Sequence, residues 1–439
     1  MKLIPIKTES FPISLKYTKV CPAGNISAGN KSAGNKSAGN KSRTIPGKAL
    51  FMILAVVLFS SCYYVEQGSV LFRNRLAAQS RSAALKSADE SRQEELERFF
   101  TGVERIRDFG VERLGLNDNG NYRKYLELDR DYLVAVVNAA APDSLDPFLW
   151  RYPFLGPAPY RGYYNPEDAA REARRLRDKG YHVFVRKVDG FSTLGITKDP
   201  LISFMTEYDQ FRLARLIFHE QIHASFWVKG HISFNEELAT TLGDMAALEY
   251  IEWYYGTDSR EYRSAEASIH DSRQFAADMR TLSRELEILY ESFPETFSEK
   301  SPPASAAHPP SADRAPEQAD EQAPESSHEQ TPERASELEA ARERILERFR
   351  EQFRISYPER YEGDAYRNAP ELELNNAFLS LYRSYSGRGP GYQALYERLG
   401  SVSAVLQTLE TAMKDPESMN VTYRKGDDPY TIIEQLLES

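Results

Sequence analysis

The stretch that most constrains how this chain can fold is residues 210–228, which are apolar nearly all the way round a helix. Its apolar side chains are Phe211, Leu213, Leu216, Ile217, Phe218, Ile222, Phe226 and Trp227. A helix without a polar face belongs at the centre of a domain, and residues 206–209 offer a cap for its first turn. Three ionisable residues, His219, Glu220 and His223, interrupt the run. Burying them costs free energy unless a partner satisfies them.

These residues form the pattern His219-Glu220-x-x-His223. Two histidines four apart project from one helix face, about 40° from each other, so both imidazoles can reach one metal ion. Zinc lowers the pKa of a bound water to about 7, and Glu220 can take the proton as general base. The alternative is a chance match with two merely polar histidines, which the apolar surroundings disfavour. A metzincin site is excluded, because Phe226 and Lys229 occupy its glycine and third-histidine positions.

A zinc site needs a third protein ligand nearby, and Asn235-Glu236-Glu237 opens the next predicted helix. The Asn-Glu pair resembles the third-ligand motif of the gluzincins, so Glu236 is favoured as the ligand, with Glu237 as the alternative. The same residues also fit a capping box between Ser233 and Glu236 that involves no metal.

Other side chains near the motif are candidates for supporting roles. Asp244 lies eight residues after Glu236 and could orient a ligand histidine, or simply face solvent. His231 could stabilise an oxyanion or bind substrate, or be an ordinary loop residue. Glu237 could anchor a substrate ammonium group. Four residues could stabilise the oxyanion, and the sequence does not choose among them: Tyr208, His231, Tyr250 and Tyr254.

The N-terminus predicts export to the cell envelope. Residues 1–42 are a low-complexity extension with an Ala-Gly-Asn-Lys-Ser repeat, followed in residues 43–62 by a basic flank, an apolar run at 49–59 and Ser60-Ser61-Cys62. This order is typical of a secretory signal. It resembles a lipoprotein signal in which Cys62 is lipidated, although Leu58 lies one position early; an uncleaved anchor helix is the alternative. Both interpretations place residues 63–439 outside the cytoplasm.

Charge and cysteine content limit the partners. The chain has 65 acidic and 55 basic residues and a net charge of −10, so no general attraction to nucleic acid is expected. Cys21 and Cys62 are its two cysteines. Because the first would be removed with the signal, the mature chain is expected to contain no disulfide.

The rest of the chain predicts a mainly helical α+β fold. Helices are predicted at 93–114, from the cap Asn165 to Gly180, and at 210–228, 233–254, 268–292 and 338–353, with three more between 371 and 437. Strands at 132–137 and 181–185 predict a small sheet with one crossover helix, and residues 191–196 could form an edge strand that pairs with a peptide. Residues 301–336 contain no large apolar residue and predict a disordered insertion. It separates a catalytic region at 63–300 from a C-terminal helical region of the same domain at 337–439.

With these motifs in hand, the chain resembles a bacterial family described as predicted, or putative, aminopeptidases with an HExxH motif. The resemblance covers nearly all of residues 62–430 except the insertion, and it is carried by the segments 62–68, 114–117, 162–164, 181–185, 191–195, 199–201, 217–220, 234–236 and 375–377. One departure is Gln221-Ile222, where the family usually has Leu-Ala; it leaves the ligands intact. The resemblance implies a zincin-like catalytic domain, with the small sheet beside the metal helix, in an envelope lipoprotein.

The sequence therefore predicts a zinc metallopeptidase, with Zn²⁺ on His219, His223 and Glu236, peptide substrates and a membrane attachment. An endopeptidase or a cell-wall amidase would use the same zinc residues. A non-catalytic lipoprotein that binds a partner is the remaining alternative, although a closed structural zinc site needs four protein ligands and no Glu220.

Overall fold

The computed structural model describes residues 63, 66–152, 156–189, 198–293, 332–385, 389–424 and 426–439. The repeat, the signal with Cys62, the possible edge strand at 191–196 and most of the predicted insertion lie outside these residues. Within the described part of the chain, no helix is both long and apolar enough to cross a membrane.

The architecture is mainly helical with three small sheets, which confirms the α+β prediction; a zincin-like fold stays a prediction. The helices are α1 (66–77), α2 (Arg81–Ser87), α3 (Glu90–Glu112), α4 (Pro166–Arg177), α5 (Gln210–Ser225), α6 (Ile232–Tyr255), α7 (Arg260–Glu291), α8 (Pro332–Arg360), α9 (Asn376–Tyr385), α10 (Gly389–Leu399), α11 (Val402–Lys414) and α12 (Tyr430–Glu438). The strands are β1 (Gln79–Ser80), β2 (Lys124–Leu126), β3 (Val134–Ala140), β4 (Trp150–Tyr152), β5 (Gly156–Ala158), β6 (Arg161–Tyr163), β7 (His182–Val188) and β8 (Leu201–Ile202).

The longest strands form a sheet in the order β6-β3-β7. Both neighbours run antiparallel to β3, with Val137 opposite Arg161 on one side and Val185 on the other. Helix α4 connects the two outer strands across the sheet, so the predicted crossover helix is confirmed. Asn165 caps α4 by accepting a hydrogen bond from the Glu167 N–H (3.0 Å). The smaller sheets are β1-β2-β8 and the pair β4-β5.

Of the small sheets, β1-β2-β8 contributes Tyr125, Leu201 and Ile202 to the apolar cluster that contains α5. Helix α5 packs mainly against α6 and α3, whereas the β6-β3-β7 sheet packs mainly against α4 and α9. The reason is that α5 is apolar on all sides, and two long helices can bury more of its surface than three short strands.

Several predicted boundaries were wrong. Helix α5 ends at Ser225 rather than 228, because Phe226 is extended and its N–H closes the last turn on Ile222 O. Helix α7 begins at Arg260 rather than 268, since Ser259 caps it. Residues 332–336, predicted to belong to the insertion, begin α8: proline is favoured in a first helical turn and needs no apolar neighbour. Four helices, not three, follow residue 371.

Two apolar clusters form most of the core. One surrounds α5 and α6 and also contains buried residues of α3 and α10–α12; the other joins α7, α8 and α9. Helices from both ends of the chain therefore enclose α5.

Candidate metal centre

Two helices bring three predicted ligands together. The Nε2 atoms of His219 and His223, one turn apart on α5, lie 3.1 Å from each other. Glu236, in the first turn of α6, places its carboxylate oxygens 3.6 Å from His219 Nε2 and 3.4 Å from His223 Nε2. All three side chains are largely buried. Among the described residues, this is the one group of histidine, cysteine and acidic side chains placed to hold a metal ion.

The spacing of these atoms fits a tetrahedral ion. Ligand atoms about 2.0–2.1 Å from zinc in a tetrahedral site lie about 3.3–3.4 Å from one another; here the two Nε2 atoms are 3.1 Å apart, Glu236 Oε2 is 3.6 Å from His219 Nε2, and Glu236 Oε1 is 3.4 Å from His223 Nε2. Two imidazole nitrogens and one carboxylate are also a donor set that zinc accepts while keeping a position open. The residues therefore fit the ion that the sequence predicts.

Unsatisfied atoms point to the same conclusion. Glu236 Oε2 is buried and accepts no hydrogen bond from any described residue, and His223 Nδ1 is buried without a partner as well. Burial raises the pKa of Glu236, but hydrogen bonds and charge from His219 and His223 outweigh it and lower the pKa to about 2. The carboxylate is thus ionised at neutral pH beside the two histidines.

Asn235 fixes the turn that joins the two helices. Its Oδ1 accepts a hydrogen bond from the Val228 N–H, and its Nδ2 donates to Val228 O (both 2.8 Å) and to His231 O (2.7 Å). His231 is the N-cap of α6 without a side-chain capping bond. The capping box expected from Ser233 and Glu236 is therefore absent from this helix start, since Ser233 lies inside the helix and Asn235 ties down the turn instead.

A close approach of α5 and α6 sets the distance between the ligands. A Cβ atom added to Gly243 of α6 would lie 3.4 Å from the His219 N atom. One turn before His219, Arg215 donates a hydrogen bond from Nε to Asp244 Oδ1 (2.5 Å). Asp244 therefore braces α5 through Arg215, rather than contacting a ligand histidine as expected.

The neighbouring acidic residues are buried but take different positions. Glu220 follows His219 on α5 and is 7% exposed. Glu237 lies outside the His219–His223–Glu236 group, and its Oε2 accepts a hydrogen bond from the Tyr430 hydroxyl of α12 (2.9 Å). Of the two glutamates considered as third ligand, Glu236 is the one beside the histidines.

The helix geometry separates three of the oxyanion candidates from the metal cluster. Tyr250 is 14 residues after Glu236 in α6, about 21 Å along the axis, and its hydroxyl faces Gln210 Oε1 (3.3 Å). Tyr254 stacks on Tyr250 one turn further on. Tyr208 precedes the first turn of α5, about 14 Å along the axis from His219. The remaining candidate, His231, is only half-buried in the α5–α6 turn.

Trp227 lies beside the histidines, whereas the sequence predicted it only as part of the apolar helix at 210–228. It follows the end of α5, its ring packs edge-on against the His223 ring at 5.4 Å between centroids, and it is 37% exposed. An aromatic residue four positions after the second histidine was the signal available in the sequence. Trp227 forms an apolar wall beside the ligands.

Gln221, which stands where the family usually has leucine, fits into space left by the neighbouring helix α3. Gln221 is buried and donates from Nε2 to Arg107 O (3.3 Å), while its Oε1 has no partner among the described residues. A Cβ at Gly110 of α3 would lie 2.2 Å from that Oε1. The glycine therefore leaves the space that the amide occupies.

The chain is thus a mainly helical protein with a buried cluster of two histidines and a glutamate that could hold a metal ion. A family model described as "Putative aminopeptidase" matches residues 63–309, more than half of the chain, and the chain belongs to this family. The family's name suggests a peptidase and peptide substrates. Comparisons with curated proteins and with solved structures found no match.

Proposed function

We propose that this protein is a zinc-dependent peptide hydrolase, and specifically an aminopeptidase. The observation that carries the proposal is the buried group of His219, His223 and Glu236, whose possible ligand atoms all lie within 4.8 Å of one another, with Glu220 next to His219 along the helix. The family membership supports the peptidase class and the choice of a free N-terminus as the recognised end of the substrate.

In this proposal His219 and His223 hold zinc through Nε2, and Glu236 holds it through its carboxylate. A zinc ion at this position supplies Lewis-acid polarisation of the scissile carbonyl and lowers the pKa of water to about 7. Two contacts hold these residues in place. Asn235 fixes the turn before Glu236, and the Arg215–Asp244 pair fixes α5 against α6.

Glu220 is the proposed general base. Its carboxylate removes a proton from the attacking water and then delivers that proton to the nitrogen of the departing amine, so one residue serves both half-steps. Its position directly after His219 on α5 and its burial support this role. His231, in the turn beside Glu236, is the residue we propose for the oxyanion.

The decisive experiment uses the full chain in detergent. Zinc per chain is measured by mass spectrometry, and hydrolysis is compared for unblocked and N-acetylated forms of the same peptides. We expect one zinc per chain and cleavage of unblocked peptides only, with cleavage abolished in Glu220→Gln while zinc is retained. Equal cleavage of blocked peptides would make the enzyme an endopeptidase or amidase. Absence of zinc would overturn the metal site itself.

We also propose that the chain is attached to the bacterial cell envelope through Cys62 or the apolar segment before it, with the catalytic region outside the cytoplasm. The basis is the sequence of residues 43–62. Mass spectrometry of the mature N-terminus tests this: a diacylglyceryl group on Cys62 supports lipid attachment, an intact segment at 43–62 supports an anchor helix, and a chain found only in the cytosol excludes both.

A further inference from the structure

Helix α1 has one face fixed to the domain and one face open. Val70 and Leu71 pack against the sheet cluster around β3, and Gln67 Oε1 accepts a hydrogen bond from the Tyr164 N–H (2.9 Å). On the other face, Phe72 is 61% exposed and Leu76 is 70% exposed. These two residues are one turn apart, so they form a single apolar stripe. The packing of the inner face holds the stripe outward.

Unpaired cations surround this stripe. Arg73 and Arg75 of α1 and Lys124 of β2 are exposed, and none of them forms an ion pair with another described residue. Arg73 and Arg75 are sequence neighbours of Phe72 and Leu76, whereas the acidic residue of α1, Glu66, lies six residues before Phe72. Apolar side chains ringed by Lys and Arg are suited to an interface with anionic lipid.

A cavity of about 180 Å³ lies on the packed side of α1, where Leu71, Leu126 and Leu133 line it together with Arg75, Lys124 and Asp199. Lys124 of β2 therefore lies close to Arg75 of α1.

The segment that precedes α1 in the chain indicates what lies against its exposed face. Phe72 follows Cys62 by ten residues, and the apolar run at 49–59 lies just before that cysteine. Ten residues reach at most about 36 Å when fully extended, so α1 cannot be far from a bilayer that holds the preceding segment. We propose that the face formed by Phe72, Leu76, Arg73, Arg75 and Lys124 lies on the surface of an anionic membrane and orients the domain against it. This inference rests on the proposed attachment and not on the metal centre.

The test places a fluorescent reporter on the face. Full-length Phe72→Trp is reconstituted through its N-terminal segment into vesicles with phosphatidylglycerol whose acyl chains are brominated, and quenching is measured relative to the wild-type chain, which has Trp150, Trp227 and Trp253. The matched control is Ile355→Trp, because Ile355 is an equally exposed apolar residue on α8, 69% exposed. We expect a blue shift and several-fold stronger quenching at position 72 than at position 355.

Further variants and vesicle compositions distinguish contact with an anionic membrane from contact with a second copy of the chain. Changing Arg73, Arg75 and Lys124 to alanine together, or replacing phosphatidylglycerol with phosphatidylcholine, is expected to reduce the quenching at position 72 by at least half. Equal quenching at positions 72 and 355 would overturn the proposal. A blue shift that vanishes when vesicles hold at most one chain each would assign the face to a second copy of the chain and would also overturn it. Unchanged circular dichroism of each variant shows that folding is intact.

Discussion

Asn235 and Val228 are joined by a reciprocal pair of hydrogen bonds: the amide oxygen accepts from the Val228 N–H and the amide nitrogen donates to the Val228 carbonyl, both at 2.8 Å. This pair closes the turn between α5 and α6. Glu236 is the next residue, so the position of its carboxylate depends directly on the Asn235 side chain. Only an amide offers both a donor and an acceptor in this geometry.

We therefore expect Asn235→Ala to weaken zinc binding by about 10- to 100-fold, as the loss of a residue that orients a ligand generally does. Asn235→Asp keeps the size of the side chain and loses the two donated bonds, so it is expected to weaken binding as well. Competition with a chromogenic zinc chelator measures the affinity. Zinc affinity unchanged in both variants would contradict the positioning role.

Zinc should stabilise the folded chain, because an unfolded chain does not hold the three ligands together. A free zinc concentration 100 times the dissociation constant adds about 2.7 kcal/mol to the free energy of unfolding. Calorimetry is expected to show a zinc-dependent rise in Tm for the wild type that is lost in His223→Ala and Glu236→Gln. His270→Ala is the matched control, since His270 is a half-exposed histidine paired with Asp271. A zinc-dependent rise that persists in the ligand variants would place the ion elsewhere.

Gly110 is expected to tolerate a larger side chain better when Gln221 is shortened as well. A Cβ at Gly110 would lie 2.2 Å from Gln221 Oε1 and 3.1 Å from Phe218 Cε1, so Gly110→Ala should destabilise the fold by about 1–3 kcal/mol. Truncating the amide as well, in Gly110→Ala with Gln221→Ala, should recover part of that loss. Gln221→Leu alone should alter stability by less than about 1 kcal/mol, because it removes a buried oxygen without a partner. Urea unfolding of the wild type, Gly110→Ala, Gln221→Ala and the double variant gives the coupling free energy, and a coupling near zero would show that the two sites are independent.

Because His182 is buried, we expect the free energy of unfolding to fall in mild acid, independently of any metal binding. Burial lowers its pKa, and the charge of Arg342 lowers it further, to about 4 from an ordinary value of 6.5. The unfolded chain therefore binds a proton first, so the stabilisation is complete above pH 6.5 and is lost as the pH falls from 6.5 through 4. We expect unfolding in chelator to become easier by about 1–2 kcal/mol between pH 7 and pH 5, and this change to be absent in His182→Leu. The same pH dependence in that variant would assign it to other groups.

Trp227 should set substrate preference if the proposed function holds. Its exposed ring beside His223 can pack against a large apolar side chain of a peptide. Trp227→Ala is expected to raise KM several-fold for peptides with such a residue, with kcat and zinc content close to wild type. Trp253→Ala is the control, because Trp253 is 44% exposed but lies near the far end of α6. A loss of kcat at unchanged KM would indicate instead that Trp227 supports His223.

The grouping of His219, His223 and Glu236 could be predicted because the helical period alone places the two histidines on one face, and the Asn235-Glu236 pair indicated the third member. Supporting residues could not be predicted in the same way. Asp244 has a helical spacing that permits many partners, and only the packing of α6 on α5 shows that the partner is Arg215. Likewise, Tyr250 and Tyr254 follow the motif closely in sequence, but about 21 Å and 27 Å of helix separate them from Glu236.

The sequence also predicted the helices better than their ends and their neighbours. Strong apolar patterns identify α3, α5 and α6, but α5 ends where Phe226 becomes extended and its N–H closes the last turn on Ile222 O, although Phe226 to Val228 continue the apolar pattern. A small sheet beside α5 was expected from the family resemblance. The described packing surrounds α5 mainly with helices, because a helix without a polar face needs cover on every side, and the β1-β2-β8 sheet contributes to the same apolar cluster.

All three ligand residues come from one continuous stretch of 18 residues, 219–236, which contains little more than two helix ends and the turn between them. The entropy cost of closing a chain loop grows with its length, so this stretch brings its ligands together at low cost, before strands and helices distant in sequence have paired. A metal ion bound there as proposed would therefore be captured early in folding and would favour the pairing of α5 and α6, against which other helices pack.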